Sequence, residues 1–132
     1  GAANGAPKGA TTAPGLRIRF SVKCSKTSPG EQVYVVGSLP AVGAWDPAKA
    51  VPCGTSAKTF PTWTSVFIPL TPGPTKLEFK LLIGPEGSAT GMRWEPGDNR
   101  VAELPDEASD KVVVDVSCSW ESREVGVSGR HE

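Results

Sequence analysis

The stretch Leu16-Arg17-Ile18-Arg19-Phe20-Ser21-Val22-Lys23 alternates without a break. Leu16, Ile18, Phe20 and Val22 fall on one side of the chain, and Arg17, Arg19, Ser21 and Lys23 fall on the other. A period of two puts alternate side chains on opposite faces of a strand, so this stretch is a strand with one wet and one buried face. The pattern returns at residues 76–83, with Leu77, Phe79, Leu81 and Ile83 inward and Lys76, Glu78, Lys80 and Leu82 outward. Between them, Ser28-Pro29-Gly30 turns the chain into a strand at 32–36 that stops at Gly37. Residues 38–52 have no clean period and are expected to be loop with one short helical turn. Val66, Ile68 and Leu70 share the inner face of a third strand, and Pro72-Gly73-Pro74 ends it. Short strands near 92–95 and 100–104 follow, then a last strand at 111–120 with Val112, Val114 and Val116 in register. Short strands, regular turns and no helical period predict an all-β fold. The expected form is an antiparallel, immunoglobulin-like β-sandwich or open barrel of about seven to eight strands.

The organisation outside that frame is simple. Residues 1–15 are rich in Ala, Gly, Pro and Thr and are expected to be a flexible linker. The domain is expected to span 16–120, and 121–132 to be a polar tail that frays. At 132 residues there is room for one real core. Fourteen basic residues balance fourteen acidic ones, which disfavours nucleic acid as a partner. No run of about 18 apolar residues is present to cross a membrane as a helix. The chain is expected to be a monomer. Three cysteines, Cys24, Cys53 and Cys118, lack the C-x-x-C spacing of a metal site, so no metal or cofactor is expected. The odd number favours a reducing, intracellular compartment, and a Cys24–Cys53 bridge stays open.

The four tryptophans are few enough for placement to matter. Trp45 follows Gly43-Ala44 in the irregular segment, and Trp94 stands just before the turn Glu95-Pro96-Gly97-Asp98-Asn99. An indole next to a loop either fills the end of the core or faces outward as a platform. A pyranose has one face lined with C–H bonds that stacks on an aromatic ring, and its hydroxyl rim needs donors and acceptors. Lys80 supplies N–H donors, Glu95 accepts, and the Asn99 amide does both. Hydrolytic chemistry has weaker support. Glycoside cleavage takes two carboxylates set across a cleft. Asp98 sits in a turn and the other acids cluster at 103–110, so Glu95 lacks a partner. His131, the only histidine, lies in the expected tail, which leaves no Ser/Cys–His pair. No catalytic residue is assigned.

Four phrases in order carry a resemblance: Gly37-Ser38-x-x-x-Val42-Gly43-x-Trp45-Asp46, Phe60-Pro61-Thr62-Trp63, Leu77-Glu78-Phe79-Lys80 and Trp94-Glu95-x-x-x-Asn99-Arg100. Together the chain resembles the starch-binding domain of carbohydrate-binding-module family 20, over nearly all of 16–120. The resemblance implies a non-catalytic module that holds α-1,4-glucan (starch, amylopectin or a glycogen-like polymer) and tethers an attached enzyme to it, with cyclodextrin as a test ligand. It also implies a compact site of Trp45, Lys80, Trp94, Glu95 and Asn99. A weaker second site falls on Phe60, which stacks but lacks a tyrosine hydroxyl, and on Gln32 in the turn Pro29-Gly30-Glu31-Gln32. Trp63 matches a packing position. The alternative is a protein-interaction or structural sandwich whose tryptophans belong to the core.

Overall fold

The computed structural model describes residues 16–70, 76–88, 90–104 and 112–131. The expected linker at 1–15 and the acidic connector around 105–111 lie outside the described residues. Among the described residues, ten strands form two five-stranded sheets that do not close into a barrel. Strands β1 (Leu16–Lys23), β4 (Thr62–Thr64), β5 (Ile68–Leu70), β9 (Val112–Ser119) and β10 (Ser122–His131) make the first sheet. Strands β2 (Glu31–Gly37), β3 (Val51–Pro52), β6 (Lys76–Pro85), β7 (Arg93–Trp94) and β8 (Arg100–Glu103) make the second. All pairings between these strands are antiparallel except β1 with β9, which run parallel from Leu16↔Val112 to Lys23↔Ser119.

The core lies between the sheets, where the sequence period placed it. Ile18, Phe20, Val22, Val114 and Val116 from the first sheet meet Val33, Val35, Leu77, Phe79, Leu81 and Ile83 from the second. Phe20 and Phe79 bring their ring centroids to 5.3 Å across the layer. At about 25 cal/mol per Å² of apolar surface, burial on this scale is the main term holding the sandwich together.

Several details differ from the sequence expectations. The strand count is higher, because short β3 and long β10 are added and the expected third strand is broken into three-residue β4 and β5. The segment 38–52 contains two 3-10 turns, Pro40–Val42 and Pro47–Lys49, and short β3 rather than one turn in a loop. Val66 is 74% exposed, not inward. The reason is Ser65: its Oγ accepts the Phe20 N–H at 2.9 Å, replacing a ladder bond and releasing Val66 and Phe67 to the outside. Finally, Ser122–His131 does not fray but pairs with β9 along its length, through a register shift between Ser122 and Val125. Its polar composition hid a strand whose partner ladder supplies the order.

The outer face of the second sheet is not all polar. Leu82, expected to face water, is fully buried with Tyr34 and Val36 in a second small apolar cluster. Trp45, Ala50 and Met92 cover it. That lid on the outside of the sheet carries the candidate site.

Candidate functional site

The segment that delivers Trp45 is built by close contact. Gly37 ends β2 where a Cβ would sit 2.7 Å from the Glu78 carbonyl oxygen, so only glycine lets the chain cross there. Pro40–Val42 makes a 3-10 turn anchored by buried Val42. Gly43, Ala44 and Trp45 then all take positive φ, at 94°, 48° and 68°. For the two non-glycine residues this costs about 1–2 kcal/mol each. The Trp45 N–H bonds the Gly37 carbonyl at 3.0 Å, and the indole lands on the Tyr34–Val36–Leu82 cluster. Packing of that large ring offsets the strain. Asp46 stabilises the next turn by accepting from Ala48 N at 2.9 Å.

Trp94 arrives from the other side. It pairs with Leu82 across β6 and β7, so it shares the outer face with the cluster beneath Trp45. Its side is open to solvent, at 41% exposure. The structure thus brings both tryptophans onto one face, one half-buried and one exposed. Lys80 lies two residues before Leu82 on the same face. Its Nζ donates to the Gly97 carbonyl at 2.7 Å, which leaves two N–H donors for other acceptors. Asn99 is exposed and donates through Nδ2 to Glu78 Oε1 at 3.2 Å.

Glu95 needs correction. It was expected to face a ligand as an acceptor, but it is 2% exposed. Arg100 grips its carboxylate from Nε at 3.0 and 2.9 Å and from Nη2 at 2.7 Å, and Leu81 N donates to Oε2 at 2.9 Å. Arg123 Nη1 adds a contact at 3.5 Å. A buried carboxylate must be paired, and this one is saturated. Burial opposes the Arg100 charge, but the hydrogen bonds and charge of Glu95 outweigh it and raise the Arg100 pKa. Arg100 also donates to the Ser119 carbonyl at 2.8 Å, and Arg123 Nη2 donates to the Asp98 carbonyl. The turn at 95–100 is therefore stapled to both sheets. Glu95 holds Trp94 and Asn99 in place from below.

The two residues of the weaker second site each have partners of their own. Phe60 is 48% exposed and sets its ring edge-on to Trp63, with centroids 6.4 Å apart. Trp63 is buried and donates Nε1 to the Cys24 carbonyl at 3.0 Å, as a packing residue does. Gln32 lines a groove of 480 Å³ with Tyr34, Ala50, Pro52 and Met92. Its Nε2 is already committed to the Cys53 carbonyl at 2.9 Å. Sequence reasoning missed Glu78 and Arg100 as parts of the site. Glu78 was legible as the outward neighbour of Lys80 at period two. Arg100 was not, because a buried arginine looks like any strand-edge charge until its partner is known.

The family described as Starch binding domain matches residues 15–114. The cyclomaltodextrin glucanotransferase of Geobacillus stearothermophilus is 31% identical over 102 residues, covering 76% of this chain and 14% of that protein. The glucan 1,4-alpha-maltotetraohydrolase of Stutzerimonas stutzeri is 37% identical over 89 residues, 65% of this chain and 16% of that protein. The chain thus spans about a seventh of the length of such curated relatives. Among solved structures, the family 20 CBM of a maltotetraose-forming amylase from Pseudomonas saccharophila STB07 aligns with a TM-score of 0.60 and 33% identity. That alignment covers 78% of this chain and 98% of that one. The glucoamylase of Hypocrea jecorina aligns with a TM-score of 0.64 and 26% identity, over 84% of this chain and 18% of that one.

Proposed function

The chain belongs to the starch-binding domain family, and on that premise we propose that Trp45 and Trp94 form the platform on which this non-catalytic module holds an α-1,4-glucan. The observation that carries the reading is the pairing of an exposed Trp94 with a Trp45 seated over the same outer-face cluster. Core tryptophans would be enclosed between the sheets, as Trp63 is. Two indoles offset along one face suit the C–H faces of successive glucose units. Lys80 donates to hydroxyl oxygens at the rim, and the Asn99 amide donates or accepts there. Glu95 acts as the positioning group beneath them. Attached to an enzyme, such a module would raise the local concentration of polymer without new contacts to the catalytic site.

A few stacked and hydrogen-bonded units should give about −5 to −7 kcal/mol, a Kd of roughly 10–200 µM. Titration of tryptophan fluorescence with β-cyclodextrin and maltoheptaose measures it directly. A saturable change in that range is expected, together with retention on granular starch. No spectral change and no retention would defeat the proposal.

A further inference from the structure

Burial of the Glu95 carboxylate leaves the platform without the acceptor expected of it, and a second carboxylate stands on the same face. Glu78 lies two residues before Lys80 on β6, so both side chains project from the outer side of the second sheet. Its backbone N–H is tied to Ser38 Oγ at 3.2 Å, which fixes the strand under the segment leading to Trp45. One carboxylate oxygen, Oε1, accepts from Asn99 Nδ2 at 3.2 Å. The other, Oε2, has no partner among the described residues. Val101 pairs directly with Glu78 and is 41% exposed, giving a small apolar floor beside the charge. From the Leu82–Trp94 pair to the Glu78–Val101 pair is four residues along β6, or about 13 Å. The strip is longer than the indole of Trp94 alone covers.

We propose that Glu78 is the ligand-facing carboxylate of this site, accepting a hydrogen bond from a glucose hydroxyl at Oε2 while Oε1 orients the Asn99 amide. With Asn99 Nδ2 held by Glu78, its Oδ1 and second N–H stay available to the same sugar. Val101 extends the apolar surface under that unit. Glu78 thus adds a sugar subsite beyond the two indoles, at the end of the strip farther from the Leu82–Trp94 pair. This proposal rests on the platform being an α-glucan site.

The test compares wild type and Glu78→Gln against two ligands, β-cyclodextrin and its 2,6-di-O-methyl derivative. Methylation keeps the C–H faces and removes hydroxyl protons, and the bulk it adds is the same for both proteins. Glutamine preserves shape and still accepts from Asn99. The variant should keep the wild-type thermal midpoint and bind β-cyclodextrin about five- to tenfold more weakly. Methylation should weaken binding to wild type by a larger factor than binding to Glu78→Gln. Equal methylation penalties in the two proteins, or wild-type affinity in the variant, would overturn the assignment. Failure of wild type to bind either ligand would instead bring down the platform reading, and this proposal with it.

Discussion

At the scale of single residues, two neighbours in sequence divide the work of the site. Trp94 faces solvent and Glu95 faces the interior, although both stand beside the same turn. Their substitutions should separate cleanly. Trp94→Ala is expected to abolish β-cyclodextrin binding while changing stability by less than about 1 kcal/mol, since the indole is 41% exposed. Glu95→Gln leaves a fully enclosed Arg100 without its countercharge. Breaking one side of a buried pair costs about 3–5 kcal/mol, so chemical denaturation should show a large loss of stability. Calorimetric titration of each variant with β-cyclodextrin, beside its denaturation curve, checks both halves. Of the residues named from the sequence, Glu95 is enclosed by Arg100, whereas Glu78, two residues before Lys80, stands on the outer face. Residue type and spacing put a carboxylate near the turn. They did not tell inward from outward, because that depends on Arg100 arriving from the next strand and on Ser119 beyond it.

Among elements, β10 departs most from what its composition suggests. Val125 and Val127 alternate with Gly126 and polar residues, a weak pattern that by itself gives no confident strand. Order comes from β9, whose residues Val112–Ser119 already pair with β1 on the other edge. Arg123 ties β10 to the Glu95 carboxylate and the Asp98 carbonyl. Removing residues 122–132 is therefore expected to do more than shorten a tail. It should expose the β9 edge, lower the thermal midpoint by roughly 10 °C and loosen the 95–100 turn. Thermal unfolding of the truncated domain measures the first effect, and weaker β-cyclodextrin binding reports the second. An unchanged midpoint would show that β10 contributes no stability. The strongly alternating strands β1 and β6 were legible because one face of each meets the core, save for Leu82, which an apolar cluster on the outer face buries. Strands β3 and β10 were not, because long-range pairing rather than local pattern defines them.

For the molecule as a whole, the three thiols are free, with Cys24 and Cys53 buried and Cys118 half-buried. Desolvation pushes Cys53 and Cys118 up to about 12, and burial also raises Cys24. The sign is that of a group whose folded pKa exceeds its unfolded value near 9.0. Such thiols favour the folded state below pH 9, and that contribution is lost as pH rises toward 12. Ellman's reagent at pH 8 should thus react slowly with the native domain and with all three cysteines after denaturation. Stability should fall above pH 9, and less steeply in a Cys53→Ala variant. Rapid native labelling would contradict the burial. The sandwich class was readable from alternation alone, but the parallel β1–β9 pair was not, since nothing in either strand names its partner. That pair has a consequence in time. Its residues are 96 positions apart, as Arg19 and Asp115 show. At about 5–20 residues per second, a ribosome needs roughly 5–20 seconds to deliver β9 after β1. The second sheet ends only at Glu103, so it too is completed late in that interval, shortly before β9 emerges. The inner edge of β1 meanwhile waits open, and a nascent chain passes through seconds in which it is most exposed to mispairing with its neighbours.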